Sequence, residues 1–153
     1  MRVVVQRVSS ARVVVDGETV GEIGGGLCAL LGIARGDGEE DADRLAGRVA
    51  RLRIFENEEG RFDRSLLDVG GEALVVSQFT LIADTARGNR PSFTDAAARE
   101  QAEPLYERFS AALRELGIGV AVGRFGARMT VELVNDGPVT VILDAPNPSF
   151  GRT

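Results

Sequence analysis

The sequence predicts one mixed α/β domain with two main helices set between β-rich ends. Three observations carry this reading. The chain has 153 residues, 44% of them hydrophobic and 27% charged, which suits one soluble domain with a core large enough to need no staples. Its Val-rich extended segments gather toward the two ends. Its two helical patterns do not alternate regularly with strands, so a doubly wound parallel sheet is not expected. The domain is assigned to residues 1–145. Residues 146–153, with Pro146 and Pro148, are expected to form a loose tail.

Residues 2–8 and 11–15 are Val-rich and extended in character. Asp16-Gly17 is a hairpin signal, with Glu18 to Ile23 as the returning strand. Gly24-Gly25-Gly26 is a turn, because it lacks the spacing of a phosphate-binding loop. Leu27 to Ala34 is a continuous apolar run, the pattern of a buried strand. Beyond Gly36-Asp37-Gly38, Leu45, Val49 and Leu52 recur at helical spacing, with Ala42 and Ala46 alongside. Acidic residues at the start suit the positive end of that helix. Arg44, Arg48 and Arg51 form a neighbouring stripe that reads as well as a solvated face as an RNA contact.

Asn57-Glu58-Glu59-Gly60 is a turn. Glu72 to Phe79 is a strand whose end turns polar. Residues 83–92 form a polar loop. A second helix is expected over 95–116, with Leu105, Phe109, Ala112, Leu113 and Leu116 on one face and Gly117 and Gly119 ending it. Pro104 inside that pattern predicts a kink or a late helix start. Residues 118–122, 128–134 and 139–143 read as three closing strands.

The absences narrow the chemistry. The chain contains no histidine, and all 18 of its basic residues are arginine. Ser-His-Asp and Cys-His catalysis, His-ligated zinc, Schiff-base lysines and P-loop lysines are excluded within the chain. The single cysteine, Cys28, rules out an intrachain disulfide and a multi-thiolate metal site. No metal or other cofactor is expected. No apolar run reaches the ~18 residues of a membrane span, and a cytoplasmic location with no membrane partner is the default expectation. The net charge of −5 speaks against indiscriminate nucleic-acid coating. A local arginine patch remains compatible with it.

Three segments carry polar residues that a core does not need. Ser77-Gln78-Phe79-Thr80-Leu81 ends a strand in hydroxyl, amide, aromatic and hydroxyl. A hydroxyl without a base is a poor nucleophile, but the N–H groups of such a turn can hold an oxyanion. The alternative is a strand end whose hydroxyls satisfy nearby backbone groups. Arg87-Gly88-Asn89-Arg90-Pro91-Ser92-Phe93 reads either as a loop over a pocket, with Arg87 or Arg90 reaching a phosphate, or as a loop whose Ser92 or Thr94 caps the next helix. Asn135-Asp136-Gly137-Pro138-Val139-Thr140 reads as a hairpin turn. A cis Gly137–Pro138 bond there would turn two carbonyls outward as acceptors for an ammonium group.

Together these segments resemble the D-aminoacyl-tRNA deacylase family, also called D-tyrosyl-tRNA deacylases. The resemblance runs from Met1-Arg2-Val3-Val4-Val5-Gln6-Arg7-Val8 to about Asp144. It rests on Ser77 to Leu81, on the loop Gly88 to Phe93, and on the intact Asn135 to Thr140 motif. Gly123-Arg124-Phe125-Gly126-Ala127-Arg128-Met129 is similar to the family as well. Phe62-Asp63 stands where many members carry Met-Asn.

The resemblance implies a barrel-like α/β domain, a homodimer, and hydrolysis of the ester between a D-amino acid, or glycine, and the terminal ribose of tRNA. It implies a catalytic turn of Ser77, Gln78, Phe79 and Thr80, with the Phe79 N–H, joined by that of Thr80, as oxyanion hole. Gly137 and Pro138 would enter the partner subunit's pocket and hold the substrate's amino group. Met129, Pro91, Ser92 and Phe93 would line the substrate site. Arg7, Arg87 and Arg90 are candidate tRNA contacts. The family offers two views of catalysis, with either Thr80 as nucleophile or the 2′-hydroxyl of the terminal ribose activating water. The absence of any His or Lys favours the second. The rival functions are a nonenzymatic RNA-binding or structural dimer, weakened by sparse aromatic interleaving for base stacking, with one Tyr and no Trp, and a general Ser/Thr esterase.

Overall fold

The computed structural model describes residues 1–145, so the expected tail over 146–153 lies outside the described residues. The chain opens with one long strand, β1 (Arg2–Val15), rather than two short ones. It turns at Asp16 and Gly17, both at positive φ, the geometry that matches strand twist in a two-residue hairpin. The return is β2 (Glu18–Ile23), followed by β3 (Gly26–Gly32). Next come α1 (Glu39–Arg51), a small hairpin of β4 (Phe55–Glu56) and β5 (Phe62–Arg64), and the single turn α2 (Leu66–Val69). β6 (Glu72–Ser77) leads into a 3₁₀ turn over Phe79–Leu81. α3 (Arg99–Glu115), β7 (Gly119–Val122) and β8 (Thr130–Asp144) complete the order.

The main sheet runs β2-β1-β3-β6-β7, with β8 on the other side of β1. β3 pairs parallel with β6, and β6 parallel with β7, while β1 is antiparallel to β2, β3 and β8. The ends of this order approach each other at Gly21, where a Cβ would strike the Val122 carbonyl. The sheet is therefore nearly closed, and barrel-like. β3 and β6 are buried on both faces, as parallel strands usually are. Leu27, Ala29, Leu31, Ala73 and Val75 face the layer of α1 and α3. Cys28, Leu74 and Val76 face the barrel interior with Val8, Val13 and Ile23.

The helical patterns hold, with shifted ends. In α1, Ala42, Leu45, Ala46 and Val49 are buried, but Leu52 lies just past the helix as its C-cap. Asp41 Oδ2 accepts the Gly38 N–H at 2.9 Å and so closes the first turn. α3 begins at Arg99, four residues later than periodicity suggested, and Pro104 sits inside it. The hairpin of β4 and β5 and the turn of α2 are too short to have shown a periodic signal. α2 is held by its own cap: Ser65 Oγ accepts from the Asp68 N–H, and Asp68 Oδ2 accepts from the Ser65 N–H.

The largest difference lies at the C-terminal end. The segments read as two strands around a hairpin turn form one strand, β8, paired with β1 along nearly its whole length. Gln6 faces Thr140 and Val8 faces Asn135, so residues 136–139 stand opposite Arg7 alone. They leave the ladder as a bulge. The other edge of β8 has no strand partner among the described residues.

Candidate active site

Ser77 and Gln78 end a strand whose preceding four residues are buried. The Gln78 N–H donates to the Leu31 carbonyl at 2.8 Å, which ties the strand end to β3. The N–H groups of Leu81 and Ile82 then turn back onto the carbonyls of Gln78 and Phe79. Among the described residues, the N–H groups of Phe79 and Thr80 have no backbone acceptor. Two successive donors left open at a tight turn form a site for a negatively charging oxygen. Gln78 Nε2 donates to Thr80 Oγ1 at 2.5 Å. An amide that donates to the hydroxyl cannot take its proton.

A cavity of about 370 Å³ opens against this strand end. Ser77, Gln78 and Phe79 form one wall, and Ile33, Val76, Ala97, Phe125, Met129 and Val131 supply apolar surface. Its one charged lining residue is Arg99. Thr80 does not line it, and neither do Gly137 or Pro138. The site is thus apolar with a few polar groups at one end, the common make-up of a small-ligand pocket.

The loop before α3 is drawn toward the same place. Asp84 and Ser92 exchange backbone hydrogen bonds at 2.7 and 2.9 Å. This sets the Phe93 ring edge-on to Phe79, with centroids 5.4 Å apart. Ser92 Oγ pairs with Thr94 Oγ1 at 2.8 Å rather than capping α3, whose N-cap, Ala98, has no side-chain bond. Arg87 and Arg90 are exposed beside Ser92 and line a second, polar recess with Asp84, Thr94 and Asp95. Pro91 is also exposed.

Gly137 and Pro138 lie apart from both recesses, exposed at the tip of the β8 bulge. The peptide bond between them is cis. Arg7 sits beneath the bulge and is only 6% exposed. Its Nε donates to the Asp136 carbonyl at 3.0 Å, its Nη1 to the Ile54 carbonyl at 2.8 Å, and its Nη2 to Glu56 Oε1 at 3.4 Å. The Phe62 ring lies 5.7 Å from its guanidinium carbon. Arg7 was expected at a tRNA phosphate. In this chain it is enclosed and engaged by protein acceptors, and it fixes the bulge. Val139 N–H closes the bulge by donating to Asn135 Oδ1 at 2.9 Å.

No carboxylate lines the cavity. Burial pushes the Tyr106 phenol up to about 12, and its hydroxyl donates to the Val75 carbonyl at 2.9 Å. Burial likewise pushes the Cys28 thiol up to about 11, so it stays protonated at neutral pH. Among the described residues, no group of Cys, Asp or Glu side chains is arranged to hold a metal ion. None of their helices is long and apolar enough to cross a membrane.

Sequence reasoning missed Ala97 and Arg99: Ala97 lies in the Ala-rich stretch before α3, Arg99 is the first residue of that helix, and neither belongs to a motif. Phe125 was visible only as part of the Gly123 to Met129 run.

The barrel-like domain thus sets open strand-end amides beside an apolar cavity in a chain without histidine, an arrangement able to hold the oxyanion of an acyl-transfer reaction. Comparison with known proteins supplies the family. Residues 4–144 match the family described as D-Tyr-tRNA(Tyr) deacylase, and the chain belongs to it. It is 65% identical over 145 residues to a D-aminoacyl-tRNA deacylase of Roseiflexus sp. (strain RS-1), covering 95% of this chain and 94% of that one. A D-aminoacyl-tRNA deacylase of Deinococcus radiodurans is 57% identical over 144 residues, covering 94% and 99%. A solved structure titled c-Myc DNA Unwinding Element Binding Protein superposes with a TM-score of 0.90 at 42% identity, over 96% of this chain and all of that one. A probable eukaryotic D-amino acid tRNA deacylase shares the fold, with a TM-score of 0.80 at 20% identity over 94% of this chain and 98% of that one.

Proposed function

We propose that this protein hydrolyses the ester of D-aminoacyl-tRNA, releasing the free D-amino acid and tRNA, in a site shared between two copies of the chain. One observation carries the reading. The open N–H pair and the cavity lie at one place, while the Gly137–Pro138 bulge projects from another and lines neither of the two recesses described above. A two-fold dimer would bring each bulge to the other copy's cavity and make two equivalent sites. The unpaired edge of β8, with Val134 57% and Ile142 59% exposed, supplies apolar surface for such an assembly.

In this site the Phe79 and Thr80 N–H groups hold the ester carbonyl oxygen, and the carbonyls of Gly137 and Pro138 from the second copy hold the substrate ammonium. Water adds to the carbonyl carbon. The bond to the ribose oxygen breaks, and that oxygen leaves carrying the proton the water gave up, relayed by the neighbouring 2′-hydroxyl. Thr80, bonded to an amide donor and outside the cavity lining, has no base to make it a nucleophile. With ammonium and carbonyl both fixed, an L side chain points into backbone and a D side chain points outward. Glycine has no side chain to exclude, so glycyl-tRNA is accepted.

Deacylation of matched D-, L- and glycyl-tRNAs beside a small ester that carries no nucleoside tests this. Cleavage of the D and glycyl substrates alone is expected. Cleavage of the small ester at a similar rate would leave a general esterase, and tRNA binding with no cleavage would leave a nucleic-acid-binding protein. Sedimentation should show a dimer, and a fully active monomer would remove the shared site. Arg87 and Arg90 remain the proposed contacts to the tRNA backbone. Affinity should fall with salt at a shallow slope, about 0.7 per single-strand phosphate engaged.

A further inference from the structure

We infer that Arg99 receives the phosphate on the 5′ side of the terminal nucleoside and so makes the enzyme prefer a nucleotide ester over a nucleoside ester. This rests on the function proposed above and identifies which part of the substrate the cavity mouth reads. An aminoacylated terminal nucleoside carries one cation, the ammonium, and one anion, its 5′-phosphate. With the ester held at Phe79, the ribose and base would occupy the cavity, which Ile33, Phe125 and Met129 also line. A phosphate keeps its water best where the lining is exposed and positively charged. Arg99 is the one charged side chain lining that cavity, and its side chain is 62% exposed to solvent there.

Its guanidinium is already oriented. It lies over the Phe125 ring, 5.4 Å from the centroid. Glu103, one turn further along α3, accepts from Nη2 at 3.3 Å. Beside it stands Gly126, where a Cβ would come within 3.1 Å of Nη1. The bare glycine leaves that nitrogen room, and a planar guanidinium held on a ring keeps further donors free for a phosphate. The competing explanation is an ordinary surface pair between Arg99 and Glu103 that steadies only the helix.

The test compares two small esters on the full chain: 2′(3′)-O-D-tyrosyl-adenosine with and without a 5′-phosphate. The wild-type protein should favour the phosphorylated ester about tenfold in kcat/KM, the size expected of a charged hydrogen bond, with the difference in KM. Arg99→Ala should erase that preference, and Arg99→Lys should keep part of it. If Arg99→Ala slows both esters equally, Arg99 only steadies Phe125 and the inference fails. A wild-type protein that cleaves D-tyrosyl-tRNA and both esters without preference also overturns it, while leaving the proposed function intact. A wild-type protein that cleaves neither the esters nor D-tyrosyl-tRNA overturns both.

Discussion

The strand end at Ser77 to Thr80 and the bulge at Asp136 to Val139 do similar jobs by opposite means. Both expose backbone groups that a β-ladder would otherwise consume. At the first, a doubly buried strand stops, and a 3₁₀ turn leaves two N–H groups without backbone partners. At the second, a strand of 15 residues continues on both sides, and four residues are pushed out opposite Arg7. The first is rigid because it ends a core strand. The second touches the core through Val139 alone and is held by the hydrogen bond from Arg7 to the Asp136 carbonyl. An interruption of regular structure thus becomes usable only where something else replaces the lost ladder bonds.

Gly137→Ala should give the largest effect. Gly137 has φ +140°, and a Cβ there would lie 2.7 Å from Val139 Cγ2 and 2.9 Å from its N. The bulge must shift, so deacylation of D-tyrosyl-tRNA should fall by about a hundredfold or more, a loss expected when positioned backbone groups move. The bulge is exposed, so urea unfolding should change little. Equal losses of activity and stability would mean that the bulge holds the fold rather than the substrate.

Arg7→Met should act on the support of the bulge alone. It removes the donors to the Ile54 and Asp136 carbonyls and should lower stability by about 2 kcal/mol. Unfolding midpoints measure that, and kinetics should show activity falling further than stability alone explains. A stable variant with normal kinetics would show that the bulge keeps its shape unaided.

Thr80→Ala sharpens the other side of the comparison. If the strand end works through its N–H groups, single-turnover deacylation should stay within about tenfold of the wild type, whereas losing a nucleophile costs many orders of magnitude. A trapped aminoacyl-Thr80 intermediate would reverse the mechanism.

The smallest effect lies in the core behind the strand end, at alkaline pH. Tyr106 and Cys28 are neutral when protonated, and burial raises both above their ordinary values, to about 12 and about 11. Their contribution to stability is therefore full below their unfolded values, about 8.5 for Cys and about 10 for Tyr, and is lost as pH rises through the folded ones. Tyr106 is the sole tyrosine, so its ultraviolet titration is unambiguous. A midpoint near 10 would show that the phenol is open to water. Tyr106→Phe should remove the later part of the alkaline loss.

Much of this was legible in the chain itself. The Asp16-Gly17 turn and the strand from Glu18 to Ile23 were readable because turn chemistry and alternation are local. The buried faces of α1 and α3 were readable because helical spacing repeats. The hairpin of β4 and β5 was not, since a two-residue and a three-residue strand carry no period. Residues 128–134 and 139–143 looked like separate strands because Gly-Pro normally marks a turn, and nothing local reveals that β1 is long enough to pair with both.

The sequence by itself determined the class of fold, the absence of a histidine or lysine base, and the motifs that mark the family, because composition and short-range pattern do not depend on partners distant in the chain. Only the tertiary structure decided what those pieces do. It put Arg7 under the bulge, left two amides open at Phe79 and Thr80, and brought Arg99 to the cavity beside Phe125. Each of these joins groups whose pairing depends on how the sheet closes: Arg7 meets a carbonyl 129 residues away. A side chain's role is set by the acceptors within about 3 Å of it, and sequence spacing does not report that distance.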